Sequence, residues 1–69
     1  MYKNLKNLMG QKEISIEAMA KLLNVTTQTV RNKLNGETEF TFGEVELIME
    51  CMFPEYNYKY VFRRETDAA

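Results

Sequence analysis

Thr27, Gln28, Arg31 and Asn32 are the residues of this chain whose types and spacing most clearly suit a chemical task. Their i, i+1, i+4, i+5 pattern places them on one face of a helix. Hydroxyl, amide and guanidinium groups on such a face offer the donors and acceptors that hydrogen-bond base edges in a DNA major groove. The competing reading is the solvated face of an ordinary helical domain. Most such faces carry Glu and Lys, and threonine lowers helix propensity, so several polar β-branched residues here need another reason. Residues 27–35 are therefore expected to form a recognition helix.

Other chemistries find little to work with. Cys51 is the only cysteine and there is no histidine, so neither a disulfide framework nor a Cys/His metal cluster can be built within the chain. Cys51 lies in the run IMECMF and is expected to be a small buried apolar residue, with no positive neighbour to stabilise a thiolate. Glu44, Glu46 and Glu50 are expected to be the wet face of a helix. A paired-carboxylate active site is a poor competitor, because nothing brings a nucleophile, a metal or a base to them. The expectation is a protein that is not an enzyme and takes no cofactor, metal or small-molecule ligand. Apolar runs are short and the N-terminus lacks the apolar stretch of a signal peptide or membrane span, which makes soluble and cytoplasmic the default.

Charge is distributed unevenly. Up to Gly36, six cations (Lys3, Lys6, Lys12, Lys21, Arg31, Lys33) face two carboxylates (Glu13, Glu17), a net of +4. From Glu37 onward three cations face eight carboxylates, a net of -5. The proposed recognition helix sits in the basic half, which supports a polyanionic partner despite a whole-chain charge of -1.

The elements that must position these residues follow from periodicity and caps. Sixty-nine residues suffice for one small domain with a thin core, taken as residues 1–64 with a frayed end at 65–69. Tyr2, Leu5, Leu8 and Met9 describe an amphipathic first helix ending near Gly10. Ser15 can cap a second helix that buries Met19, Ala20 and Leu23 and runs to about Leu23. Asn24 suits a left-handed turn and Val25 plugs the corner behind it. Thr26 caps the third helix, which buries Val30 and Leu34 and stops at Asn35 and Gly36. Thr41-x-x-Glu44 is a capping box opening a fourth helix with apolar positions Phe42, Val45, Ile48, Met49 and Met52, ended by Pro54. Residues 55–64 fit either a short helix capped by Asn57 or a strand, and the short helix is preferred.

This order of helix, cap, small-residue helix, turn, polar-faced helix, Asn-Gly and fourth helix resembles the lambda-repressor-like helix-turn-helix family, which includes phage repressors and Cro proteins. The resemblance covers residues 5–62, and Met19, Ala20, Leu23, Val25, Thr26, Val30 and Gly36 fall at the family spacing. It implies an all-α, compact four- to five-helix domain whose helix-turn-helix is formed by the second and third helices. It also implies that the third helix enters the major groove while the second crosses above it. On that basis Thr27, Gln28, Arg31 and Asn32 would read bases, with Arg31 going to guanine or to a phosphate. Ser15, Thr26, Lys33, Asn35 and Gly36 would contact the DNA backbone.

Two positions depart from the family pattern. Many members place a phosphate-binding glutamine first in the second helix, where this chain has Ile16, so Ser15 and free backbone amides must take over that contact. Many also join the first helix to the end of the third by a buried Arg to Glu pair, where this chain has Met9 and Leu34. Losing one partner of such a pair costs about 3–5 kcal/mol, while replacing both by packed apolar groups is often neutral or stabilising.

The tail aromatics Tyr56, Tyr58, Tyr60 and Phe62 have two readings, as a cover over the open end of the core or as a dimer or partner surface. The functional expectation is a sequence-specific double-stranded-DNA-binding transcriptional regulator, Cro- or repressor-like and encoded by a phage or other mobile element. It would act as a homodimer, at least on DNA, occupying a near-palindromic operator. The alternative is an antitoxin- or anti-repressor-like interaction module that keeps the fold and meets a protein partner through the aromatic tail.

Overall fold

The computed structural model describes residues 2–64 and contains five helices and, among the described residues, no strand. They are α1 (Lys3–Gln11), α2 (Ile16–Leu23), α3 (Thr27–Leu34), α4 (Phe42–Cys51) and α5 (Tyr58–Val61). The preferred helical reading of the tail is the one adopted, and Asn57 Oδ1 caps α5 by accepting from the Lys59 amide at 2.8 Å. The frayed end expected at 65–69 lies outside the described residues.

Caps fix where each helix begins. Ser15 accepts from the Ala18 amide at 3.0 Å, and Thr26 accepts from that of Thr29 at 3.1 Å. The Thr41 and Glu44 capping box is complete: Glu44 donates its amide to Thr41 Oγ1 at 3.2 Å while its carboxylate accepts from the Thr41 amide at 2.9 Å. Each cap satisfies a first-turn donor that the helix itself leaves open, worth about 1 kcal/mol.

The exits use left-handed residues. Asn24 (φ 60°) closes α2, and its neighbour Val25 donates to the Ala20 carbonyl at 3.0 Å. Gly36 (φ 86°) closes α3, with Gly36 donating to Lys33 at 3.1 Å and Glu37 to Asn32 at 2.9 Å, the paired bonds that absorb orphan carbonyls. At the first exit the left-handed residue is Glu13 (φ 57°), whereas Gly10 lies inside α1. A residue with a Cβ is strained in that conformation by about 1–2 kcal/mol.

Every helix places a fully buried side chain in one core: Leu5 from α1, Met19 from α2, Val30 from α3, Ile48 from α4 and Val61 from α5, with Phe53 from the connector between α4 and α5. Such burial contributes about 1.5–3 kcal/mol per side chain. Tyr2, Phe40 and Phe62 meet edge to face, with centroid separations of 5.2, 5.2 and 6.0 Å, and so tie the N-terminus, the α3–α4 loop and the tail together. The tail aromatics thus divide: Phe62 packs on the core, while Tyr56, Tyr58 and Tyr60 are exposed.

Several burial expectations need correction. Phe42, placed on the buried side of α4, is 76% exposed, because it is the first residue of the helix and no neighbouring element packs over it. Cys51, expected in the core, is exposed, since the buried side of α4 is centred on Ile48 with Val45 and Met52. Leu23 is only partly buried at the core edge. Glu44, expected on the wet face, is turned inward by its cap and by an ion pair with Lys33.

Candidate nucleic-acid interface

The turn between α2 and α3 sets the site. Asn24 in its left-handed conformation redirects the chain within two residues, and Val25 packs against the core behind it. Helix α3 consequently buries Val30 and Leu34 and leaves Gln28 and Arg31 exposed, with Thr27 and Asn32 half-buried beside them.

On that face, Gln28 Nε2 donates to Asn32 Oδ1 at 3.0 Å. This bond holds the two amides in register one turn apart. It leaves Gln28 Oε1 as an acceptor and Asn32 Nδ2 as a donor, the pair of groups that the major-groove edge of adenine complements. Arg31 has no ion pair among the described residues and its guanidinium remains available. No carboxylate occurs from Thr26 to Gly36, so nothing on this segment repels a phosphate.

The groups expected to meet phosphate lie at the starts of α2 and α3. Thr26 Oγ1 accepts from the Thr29 amide and shares a hydrogen bond of 2.9 Å with Thr29 Oγ1. Thr27 and Gln28, the first two residues of α3, have amides that no intrahelical bond can satisfy. At α2, Ser15 Oγ accepts from Ala18, which leaves its own proton free to donate, and the amides of Ile16 and Glu17 are open in the same way. The positive end of each helix dipole therefore coincides with unsatisfied donors, the general basis of anion binding at helix N-termini.

At the exit of α3 the assignment from sequence changes. Lys33 was expected to contact phosphate, yet it is only 8% exposed. Its ammonium pairs with the Glu44 carboxylate at 3.0 Å, donates to the Glu39 carbonyl at 3.0 Å and lies 5.8 Å from the Phe40 ring centre. With all of these partners on or before α4, Lys33 is a tether between α3 and α4, its ammonium engaged within the fold. Burial raises the Glu44 pKa, but the Thr41 amide and the Lys33 hydrogen bond and charge outweigh that effect and bring it below the usual value. The Gly36 amide is likewise engaged with Lys33 O, so this glycine serves the exit geometry through its φ and not through a free N–H.

The cation near that exit is Lys6. Its Nζ donates to Asn35 Oδ1 at 3.2 Å, which brings a half-buried lysine of α1 beside the end of α3. In the sequence Lys6 is one of six cations of the basic half, with no local signal for a contact spanning 29 positions. Lys12 is engaged elsewhere, paired with Glu55 at 2.6 Å and bonded to Met52 O at 2.8 Å. The Lys12 hydrogen bond holds the Glu55 carboxyl below its ordinary pKa. In the basic half, Lys3, Lys6, Lys21 and Arg31 are the cations without an ion pair among the described residues.

Met9 and Leu34, at the positions of the family's buried ion pair, both lie in the core. Their apolar packing leaves Lys33 and Glu44 as a substitute ionic tie one helix further along. Of the tail residues, Tyr56 and Tyr60 stack with centroids 6.1 Å apart and an interplanar angle of 14°, while Tyr56 also meets Phe53 and the Tyr60 carbonyl accepts from Asn4 Nδ2, contacts that lie away from α3.

No described helix is long and apolar enough to cross a membrane. No curated protein and no solved structure matches the chain. A family model, the Cro/C1-type HTH DNA-binding domain, matches residues 4–51, which is 48 of the 69 residues and ends with the last residue of α4. With this match over an all-helical fold whose second and third helices form the turn unit, the chain belongs to the Cro/C1-type helix-turn-helix DNA-binding family.

Proposed function

We propose that this protein is a Cro- or repressor-like transcriptional regulator, of phage or mobile-element origin and acting in the cytoplasm, that occupies a near-palindromic operator. The observation that carries the reading is the coupled amide pair Gln28 and Asn32 on a carboxylate-free α3 face, within a chain of a DNA-binding family. In this reading Thr27, Gln28, Arg31 and Asn32 meet base edges. Ser15, Thr26 and Asn35, with Lys6 in the place first given to Lys33, meet the backbone on either side, and Gly36 shapes the loop. No step requires a catalytic group, and a DNA-binding family supports a non-enzymatic role.

Four cations of the basic half have no ion pair among the described residues, so one copy binds weakly. Two copies on half-sites about 34 Å apart double the contacts and block polymerase access. The test is selection of duplexes from a randomised pool at low salt. Enrichment of a near-palindrome supports the reading, and a pool that stays random after repeated rounds rejects it.

A second reading has its own observation. Tyr56, Tyr58 and Tyr60 are all exposed within five residues of the tail, an aromatic density that suits a partner surface. In that reading the chain meets another protein, and the paired substitution Tyr58→Ala with Tyr60→Ala breaks the contact while Gln28→Ala with Asn32→Ala leaves it intact.

A further inference from the structure

We propose that the groove between α4 and the segment leading into α5 docks a polypeptide partner that presents bulky apolar side chains beside lysine or arginine. Phe42, Val45 and Met49 form one wall, and Tyr56 and Tyr58 the other, around a cavity of about 580 Å³. A smaller depression of about 240 Å³ shares Met49 and Tyr56 and continues to Phe53 and Pro54. Two adjoining apolar depressions suit two anchor side chains on one helix or strand, the arrangement by which amphipathic segments are gripped.

The charge of the groove decides the chemistry of the occupant. Its charged lining residues are Glu46 and Glu50, spaced i, i+4 along α4, and no lysine or arginine lines it. Neither glutamate is ion-paired to a described residue. A partner bringing Lys or Arg gains two ion pairs at the rim, whereas an acidic partner is repelled. A second copy meeting this face about a two-fold axis would gather four carboxylates into one interface, which argues for a different polypeptide. No α3 residue lines the groove, so occupancy there leaves the recognition helix free and a DNA-bound protein can hold its partner at the operator.

The test uses the full chain and a fluorescein-labelled amphipathic helical peptide with leucine anchors and intervening lysines, beside the same peptide with glutamate in place of lysine. The lysine peptide is expected to bind saturably and about tenfold more tightly than the glutamate peptide, as two partly exposed ion pairs allow. Amide shifts should concentrate at Val45, Met49 and Tyr58 and spare Gln28. The exposed substitutions Glu46→Lys with Glu50→Lys should invert the preference, with an unchanged melting curve as the folding control. Equal affinity for both peptides, or shifts outside the groove, overturns the proposal. So does a free protein that sediments as a dimer and is dissociated by Phe42→Asp, because the groove is then occupied by a second copy. None of these outcomes bears on DNA selection, which tests the operator reading separately.

Discussion

The substitution Glu44→Gln isolates the charge of one half-buried carboxylate. Glutamine at this position keeps an oxygen for the Thr41 amide, so the capping box survives and the change falls on Lys33. Removing one member of a buried pair costs about 3–5 kcal/mol, because the other is left as an uncompensated charge. Here the side chains are 10% and 17% exposed, and Lys33 keeps the Glu39 carbonyl and the Phe40 ring. The expected cost is therefore lower, about 2–3 kcal/mol. A domain of this size has roughly 3–10 kcal/mol in all, so the midpoint of a urea titration followed by helical circular dichroism should fall visibly.

Adding Lys33→Met should recover most of the loss, since the double variant retains the cap and buries no lone charge. The acid limb gives an independent check. The folded pKa of Glu44 lies below its usual 4.5, so between the two values the unfolded chain holds the extra proton. The stabilisation is fully present above about pH 4.5 and is lost as pH falls through the folded value. Glu44→Gln should flatten that part of the stability profile. A cost below about 0.5 kcal/mol with an unchanged acid limb, or a double variant whose loss equals the sum of the singles, would refute the tether.

Three further outcomes are expected. Gly10→Ala and Gly43→Ala should each stabilise the fold, by up to about 1 kcal/mol, because both glycines are helical and an added Cβ meets nothing within 4 Å; denaturation midpoints measure it. Glu13→Gly should raise stability by about 0.5–1 kcal/mol, since φ 57° strains any residue with a Cβ; a lowered melting temperature would show that the Glu13 side chain has another role. Lys6→Ala should weaken binding to all duplexes alike and reduce the salt slope of log K by about 1 per copy, as loss of one phosphate contact does; a change confined to one base position would contradict that assignment.

What was legible in the sequence was local. Ser15, Thr26, Thr41 with Glu44, and Asn57 announce helix starts by side-chain chemistry acting within three residues, and each cap is in place. The turn at Asn24 and the exit at Gly36 were legible for the same reason, since both depend on a backbone preference of a single residue. That Thr27, Gln28, Arg31 and Asn32 share one outward side of α3 was legible because helical periodicity alone collects them.

What was not legible depended on partners distant in the chain. Lys33 reads as a surface cation until Glu44 and Phe40 fold over it. Lys6 reads as a solvated lysine until the end of α3 arrives beside it. Phe42 and Cys51 fit an apolar pattern, but a pattern reports hydrophobicity and not whether an element packs against that residue. Glu13 gave no signal, because a carboxylate in a left-handed exit goes against residue preference.

The central claim is that α3 reads bases through Gln28 and Asn32, and the specificity ratio of the protein for its selected duplex over a shuffled one tests it most directly. For Gln28→Ala with Asn32→Ala, the account predicts that specific binding falls by about 1–3 kcal/mol per lost base contact, while shuffled-duplex affinity, salt slope and melting curve hold steady. A double variant that keeps the full specificity ratio would contradict it.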